Sequence, residues 1–73
     1  MQFDMKAIGK QLKLLRGDRT LEEVAKKTNI GRSALNMYEL GLRMPRDEAK
    51  IKLANFYGTT VDELFFNQKL HEA

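Results

Sequence analysis

Between Thr20 and Gly41 the chain reads "TLEEVAKKTNIGRSALNMYELG", two short stretches with helical spacing that are interrupted by Asn29-Ile30-Gly31. That interruption constrains the fold more than any other feature. A single long helix would carry its apolar positions through the segment, whereas Asn is second only to Gly in adopting the left-handed conformation that ends a helix. The chain is therefore expected to turn at Asn29, with Ile30 as the apolar anchor of the turn and Gly31 where the next helix begins. Ala25, one turn before the end of the first stretch, is small enough for two helices to approach closely at a steep angle. Helices joined in this way form a helix-turn-helix.

The flanking sequence supplies three more helices and almost nothing strand-like. From Asp4 as N-cap, Met5, Ile8, Leu12 and Leu15 follow the spacing of one helical face, and Gly17-Asp18 closes that helix. Thr20-x-x-Glu23 opens the second with a capping box, and Thr60-x-x-Glu63 repeats the device. Helix two is expected to bury Leu21, Val24, Ala25 and part of Thr28, and helix three, over residues 32–40, to bury Leu35 and Tyr38. Helix four, 47–57, is expected to bury Ile51, Ala54 and Tyr57 with Leu53 alongside, and helix five, 61–67, to contribute Val61, Leu64 and Phe65. "GLRMPR" is a loop punctuated by Gly41 and Pro45. The reading is all-α: one compact five-helix domain spanning residues 1–73, with its core over about 5–66 and a C-terminal tail over 67–73.

Chemistry-bearing residues are few. There is no Cys, Ser33 is the only Ser and His71 the only His, so neither a thiolate nucleophile nor a plausible Ser-His-Asp arrangement is available. Glu22-Glu23 and Asp62-Glu63 are neighbours in sequence that face different sides of a helix, and one Glu of each pair is a capping residue. "KAIGKQLK" lacks the length and the Lys-Ser/Thr of a phosphate loop. No enzymatic activity, metal or cofactor is expected. No apolar run approaches a membrane span and no secretory leader is recognisable, so a cytoplasmic protein is expected.

Charge points to an anionic partner. Thirteen Lys and Arg face ten Asp and Glu for a net +3, and twelve of the basic residues fall between positions 6 and 52 with only six acids.

These residues together carry a resemblance. Ile8-Gly9 and Leu15-Arg16, Thr20-x-Glu22-Glu23-Val24-Ala25, Ile30-x-Arg32-Ser33, Tyr38-Glu39-x-Gly41, Arg43-x-Pro45, Leu53-Ala54 and Val61-Asp62-Glu63-Leu64 resemble, in order and spacing, the Cro/repressor-type (xenobiotic-response-element-like) helix-turn-helix regulators. The resemblance covers Ile8 to Phe65 and implies a lambda-repressor-like domain whose third helix enters the major groove of double-stranded DNA. Removing the core positions of helix three leaves an outward face of Gly31, Arg32, Ser33, Asn36 and Met37, with Leu40 at its end. Arg suits the O6 and N7 of guanine, Asn suits adenine, Ser suits a base or a phosphate, and Met suits a thymine methyl. Arg32, Ser33, Asn36 and Met37 are the base-reading candidates.

Arg43 and Arg46 are expected phosphate contacts by family position, with Lys10, Arg19 and Lys50 as further candidates. By the same resemblance, Arg16 and Glu39 form a structural ion pair between helix one and the end of helix three. Relatives commonly have Gln where Leu21 stands, a loop before Thr20 about two residues longer, and Ser or Thr where Gly31 stands, so a familiar side-chain phosphate contact is missing. Phe66 and Leu70, with Phe3, are apolar residues beyond those the expected core requires, and Phe66 and Leu70 are read as a homodimer interface serving a two-fold symmetric operator. The expected function is sequence-specific transcriptional regulation, as a repressor that occupies an operator. The competing reading is an antitoxin-like module that binds another protein through the Phe66 to Leu70 tail.

Overall fold

A computed structural model describes residues 4–66. Five helices follow in order: α1 Met5–Arg16, α2 Leu21–Thr28, α3 Arg32–Glu39, α4 Asp47–Phe56 and α5 Asp62–Phe66, the last wound as a π-helix. No strand occurs among the described residues. Phe3, Leu70 and His71 lie outside them.

Local chemistry sets the boundaries. The Asp4 carboxylate accepts the Ala7 amide at 3.1 Å, capping α1. At α2 the capping box is complete: the Glu23 amide donates to the Thr20 hydroxyl at 3.1 Å, and the Thr20 amide to the Glu23 carboxylate at 2.7 Å. Its counterpart at α5 is half made. The Glu63 amide donates to the Thr60 hydroxyl at 3.1 Å, but the Glu63 carboxylate accepts the Thr59 and Thr60 hydroxyls, at 3.0 and 3.3 Å. No side chain caps α4, where Asp47 and Glu48 place negative charge against the positive end of the helix dipole.

All five helices feed one core of Ile8, Leu12, Val24, Leu35, Tyr38, Leu53, Ala54, Leu64 and Phe65. The expected faces of α1 and α3 are the ones buried, although Met5 stays 39% exposed at the start of α1. In α2, Val24 and Thr28 are buried while Leu21 and Ala25 are half-buried. Helix α4 differs from expectation. Leu53 and Ala54 are buried, with Ala49, Phe56 and Tyr57 packed against them, and Ile51 is 52% exposed. The reason is the period: Ala49, Leu53, Phe56 and Tyr57 form one stripe, and two residues along a helix place Ile51 about 160° from Leu53. Apolar residues also lie off that stripe, so the sequence alone allowed the other choice.

The helices α1 and α3 pack backbone to backbone. A Cβ built on Gly9 would lie 2.8 Å from the Tyr38 carbonyl oxygen and against that of Glu39 as well, so only glycine admits this approach. Gly41, at φ 74°, closes α3: its amide donates to Tyr38 and the Leu42 amide to Met37, at 3.1 and 3.0 Å. These are the paired bonds of a left-handed helix stop. The same glycine presses on Lys6, whose Cα would lie 2.9 Å from an added Cβ.

Candidate nucleic-acid interface

The turn before α3 is fixed by three residues. Asn29 adopts φ 60° and ψ 31° and donates its amide to the Ala25 carbonyl at 2.8 Å. Thr28, buried at the end of α2, donates its hydroxyl to the Val24 carbonyl at 2.7 Å and accepts the Ile30 amide at 3.3 Å. A buried hydroxyl is thereby satisfied on both sides, and the chain is tied across the turn. Ile30 is half-buried against the core.

Helix α3 then presents two unlike faces. Leu35 and Tyr38 are buried, whereas Arg32, Ser33, Asn36 and Met37 are exposed, with Leu40 exposed just beyond. All four base-reading candidates thus share the outer side of one helix. Gly31 is the N-cap and makes no side-chain hydrogen bond. The Nε of Arg32 lies 2.9 Å from a carboxylate oxygen of Glu22, and both side chains are largely exposed.

The Arg16–Glu39 pair locks the other end of α3 to α1. Nε and a terminal nitrogen of Arg16 donate to the two Glu39 oxygens at 2.7 and 3.0 Å, and the other terminal nitrogen donates to the Arg19 carbonyl at 2.7 Å. The side chains are only 17% and 9% exposed. The hydrogen bond to Glu39 holds the Arg16 guanidinium above its usual range, opposed by burial. A planar fork meeting a carboxylate in this way fixes orientation better than a point charge would.

The other basic candidates divide. Arg43 and Arg46 are exposed in the loop after α3, where Gly41 and Pro45 are buried. Lys10 is exposed on α1. Arg19 is engaged internally, donating to the Leu15 and Arg16 carbonyls at 3.1 and 3.4 Å and lying 5.2 Å from the centre of the Phe56 ring. Its guanidinium closes the end of α1 and stacks it on the end of α4. Lys50 is half-buried, its Nζ 4.9 Å from the centre of the Phe66 ring. Phe66 is 41% exposed and lines a shallow groove of about 300 Å³ with Asp47, Lys50, Ile51 and Val61. Among the described residues no group of three or more His, Cys, Asp or Glu could hold a metal, and no helix is long and apolar enough to cross a membrane.

A helix-turn-helix family model matches residues 10–64, which include every helix described above except the first half of α1 and the last residues of α5. The chain belongs to the Cro/repressor-type helix-turn-helix family. Comparisons with curated proteins and with solved structures returned no match. Membership makes it a DNA-binding regulator of the Cro/repressor type, and α2 and α3 are its helix-turn-helix.

Two contacts of this Cro/repressor-type domain escaped the sequence. Glu22 read only as one of two adjacent acids; its approach to Arg32 depends on how α2 and α3 cross, which no local spacing encodes. Arg19 read as a candidate phosphate contact, and the signal for its internal role was present but ambiguous. A basic residue just past a helix end can bond the last carbonyls as easily as it can reach a phosphate.

Proposed function

We propose that the protein is a sequence-specific transcriptional repressor that occupies an operator with α3 in the major groove. The observation that carries this reading is the outer face of α3, where Arg32, Ser33, Asn36 and Met37 stand exposed together while Leu35 and Tyr38 belong to the core. Arg32 pairs with guanine, Asn36 with adenine, Ser33 with a base edge or a phosphate, and Met37 packs on a thymine methyl. Arg43 and Arg46 grip phosphates beside the groove, with Lys10 as a further contact, fixing register and supplying salt-dependent affinity. Arg19 and Lys50 are the weakest phosphate candidates, because both are occupied by neighbouring groups. The protein acts as a homodimer on a two-fold symmetric site through Phe66 and Leu70, and Ile51, exposed beside Phe66 in the same groove, supports extending that interface.

Selection of the protein against random duplex DNA tests the reading. One enriched, two-fold symmetric site is expected. Arg32→Ala should relax its sequence preference, whereas Arg43→Ala should weaken all sequences alike and reduce the salt slope by about 1. Enrichment of no sequence, with only weak and salt-sensitive binding, would overturn base reading by α3. A strictly monomeric sedimentation profile at micromolar concentration, with and without DNA, would overturn the dimer.

A further inference from the structure

We infer that Glu22 is a positioning residue for base reading: its carboxylate pairs with the Arg32 guanidinium on the Nε side, which keeps the arginine at the tip of α3 and leaves its two terminal nitrogens for a guanine. The inference rests on the proposed role of α3 in the major groove and adds a residue of α2 to the specificity machinery.

Arg32 is the first residue of α3, its side chain is 57% exposed, and Gly31 before it has no side chain to pack against and, its two chain neighbours aside, nothing within 4 Å of where a Cβ would stand. A long side chain in such a place has many rotamers, and each must be given up when a base is bound. The Glu22 carboxylate lies beside it, with Oε2 2.9 Å from Nε. The two carboxylates at the start of α2 thus have different tasks. Glu23 is spent on the capping box, and Glu22 faces the recognition arginine.

The edge that is engaged matters. The carboxylate approaches Nε, the inner nitrogen of the guanidinium, at ion-pair distance without an aligned hydrogen bond, which leaves the terminal pair, whose fork matches the O6 and N7 of guanine. Charge works in the same direction. An arginine at the tip of a DNA-facing helix is attracted to every phosphate, which raises non-specific binding without reading anything. A carboxylate beside it offsets that attraction and is itself repelled by the backbone, so the side chain keeps to the groove. Exposed ion pairs contribute little to folding, and the consequence of this one is specificity rather than stability.

The test uses the full chain and the duplex obtained by selection. Three probes are compared across a salt series: that duplex, the same duplex with 7-deazaguanine at the position Arg32 reads, and an unrelated duplex. Loss of N7 should weaken the wild-type protein roughly 10-fold, a typical value for a bidentate contact. In Glu22→Gln the penalty should shrink to roughly 3-fold, binding to the unrelated duplex should strengthen, and the salt slope should steepen by up to about 0.9 as the released arginine finds a phosphate. Glu22→Asp, which keeps the charge, should restore part of the discrimination, and thermal melting should show all variants folded. If Arg32→Ala abolishes the 7-deazaguanine penalty while Glu22→Gln leaves both penalty and slope unchanged, the role of Glu22 is overturned and base reading by Arg32 stands. If Arg32→Ala alters discrimination at no position, both fall together.

Discussion

The two ends of α3 are held in opposite ways. At its C-terminal end the helix lies backbone to backbone on Gly9, is gripped through both Glu39 oxygens by one edge of the Arg16 guanidinium, and stops at Gly41, which itself presses on Lys6. At its N-terminal end Gly31 provides no side-chain cap, Arg32 and Ser33 are exposed, and the one ion pair, to Glu22, is open to solvent. The contrast shows how a recognition helix can be rigidly oriented and yet fully available. Its position is set chiefly at the C-terminal end, and the N-terminal end, with the proposed base readers Arg32 and Ser33, is left nearly free of structural duties.

The largest expected effect comes from breaking the gripped end. Gly9→Ala forces the helices apart against two carbonyls and should destabilise the protein by about 3 kcal/mol, at the upper end of ordinary overpacking. Melting should fall by roughly 10–20 °C for a domain of this size. Glu39→Gln keeps the shape but removes the charge opposite Arg16, and a loss of about 2 kcal/mol in urea unfolding is expected for a charged hydrogen-bonded pair of this burial. Specific DNA binding should weaken with it, because α3 loses the contact that orients it; unchanged affinity would show that Gly9 and Gly41 suffice.

At the bare end the effects should be small and of opposite sign. Gly31→Ser supplies the missing side-chain cap and should stabilise by a few tenths of a kcal/mol, about 1–3 °C in melting temperature. A loss of stability would mean that the N-terminal end is more constrained than its surroundings suggest.

The smallest effect sharpens the comparison by pH. Burial, and then the negative charge of Glu39, push the Tyr57 hydroxyl above its ordinary 10.0, with Arg19 and Arg16 opposing. A raised folded-state value favours the neutral phenol, so this contribution is complete below the unfolded value and is lost as pH rises through the folded one. Stability should therefore decline above about pH 10, and Tyr57→Phe should decline less steeply over that range. Glu39→Gln should narrow the difference between them, because one of its causes is gone.

Much of this architecture was legible because it is encoded locally. Asn29 announces a helix stop by its backbone preference, Thr20 and Glu23 announce a start by their spacing, and Leu35 and Tyr38 define the inner face of α3 by period alone. The Arg16–Glu39 pair was legible only through resemblance, since 23 residues separate its members. Helix α4 was misread at Ile51 because its apolar residues lie on more than one face, and tertiary packing made the choice. The π-helical winding of α5, the folding of Arg19 back onto its own helix end and the approach of Glu22 to Arg32 arise from how elements meet, which periodicity does not carry. Of the proposed dimer contacts, Phe66 is exposed in the same groove as Ile51, and Leu70 lies outside the described residues, so the dimer stays a proposal.

The outer face of α3 has a historical consequence as well as a chemical one. Arg32, Ser33 and Asn36 take no part in the buried core, so replacing any of them leaves folding nearly untouched. Under the proposed base-reading role, a lineage carrying this scaffold can change the word it recognises one letter at a time, with every intermediate still a folded protein. Gly9 and Glu39 have no such liberty, and they should persist long after the target sequence has drifted.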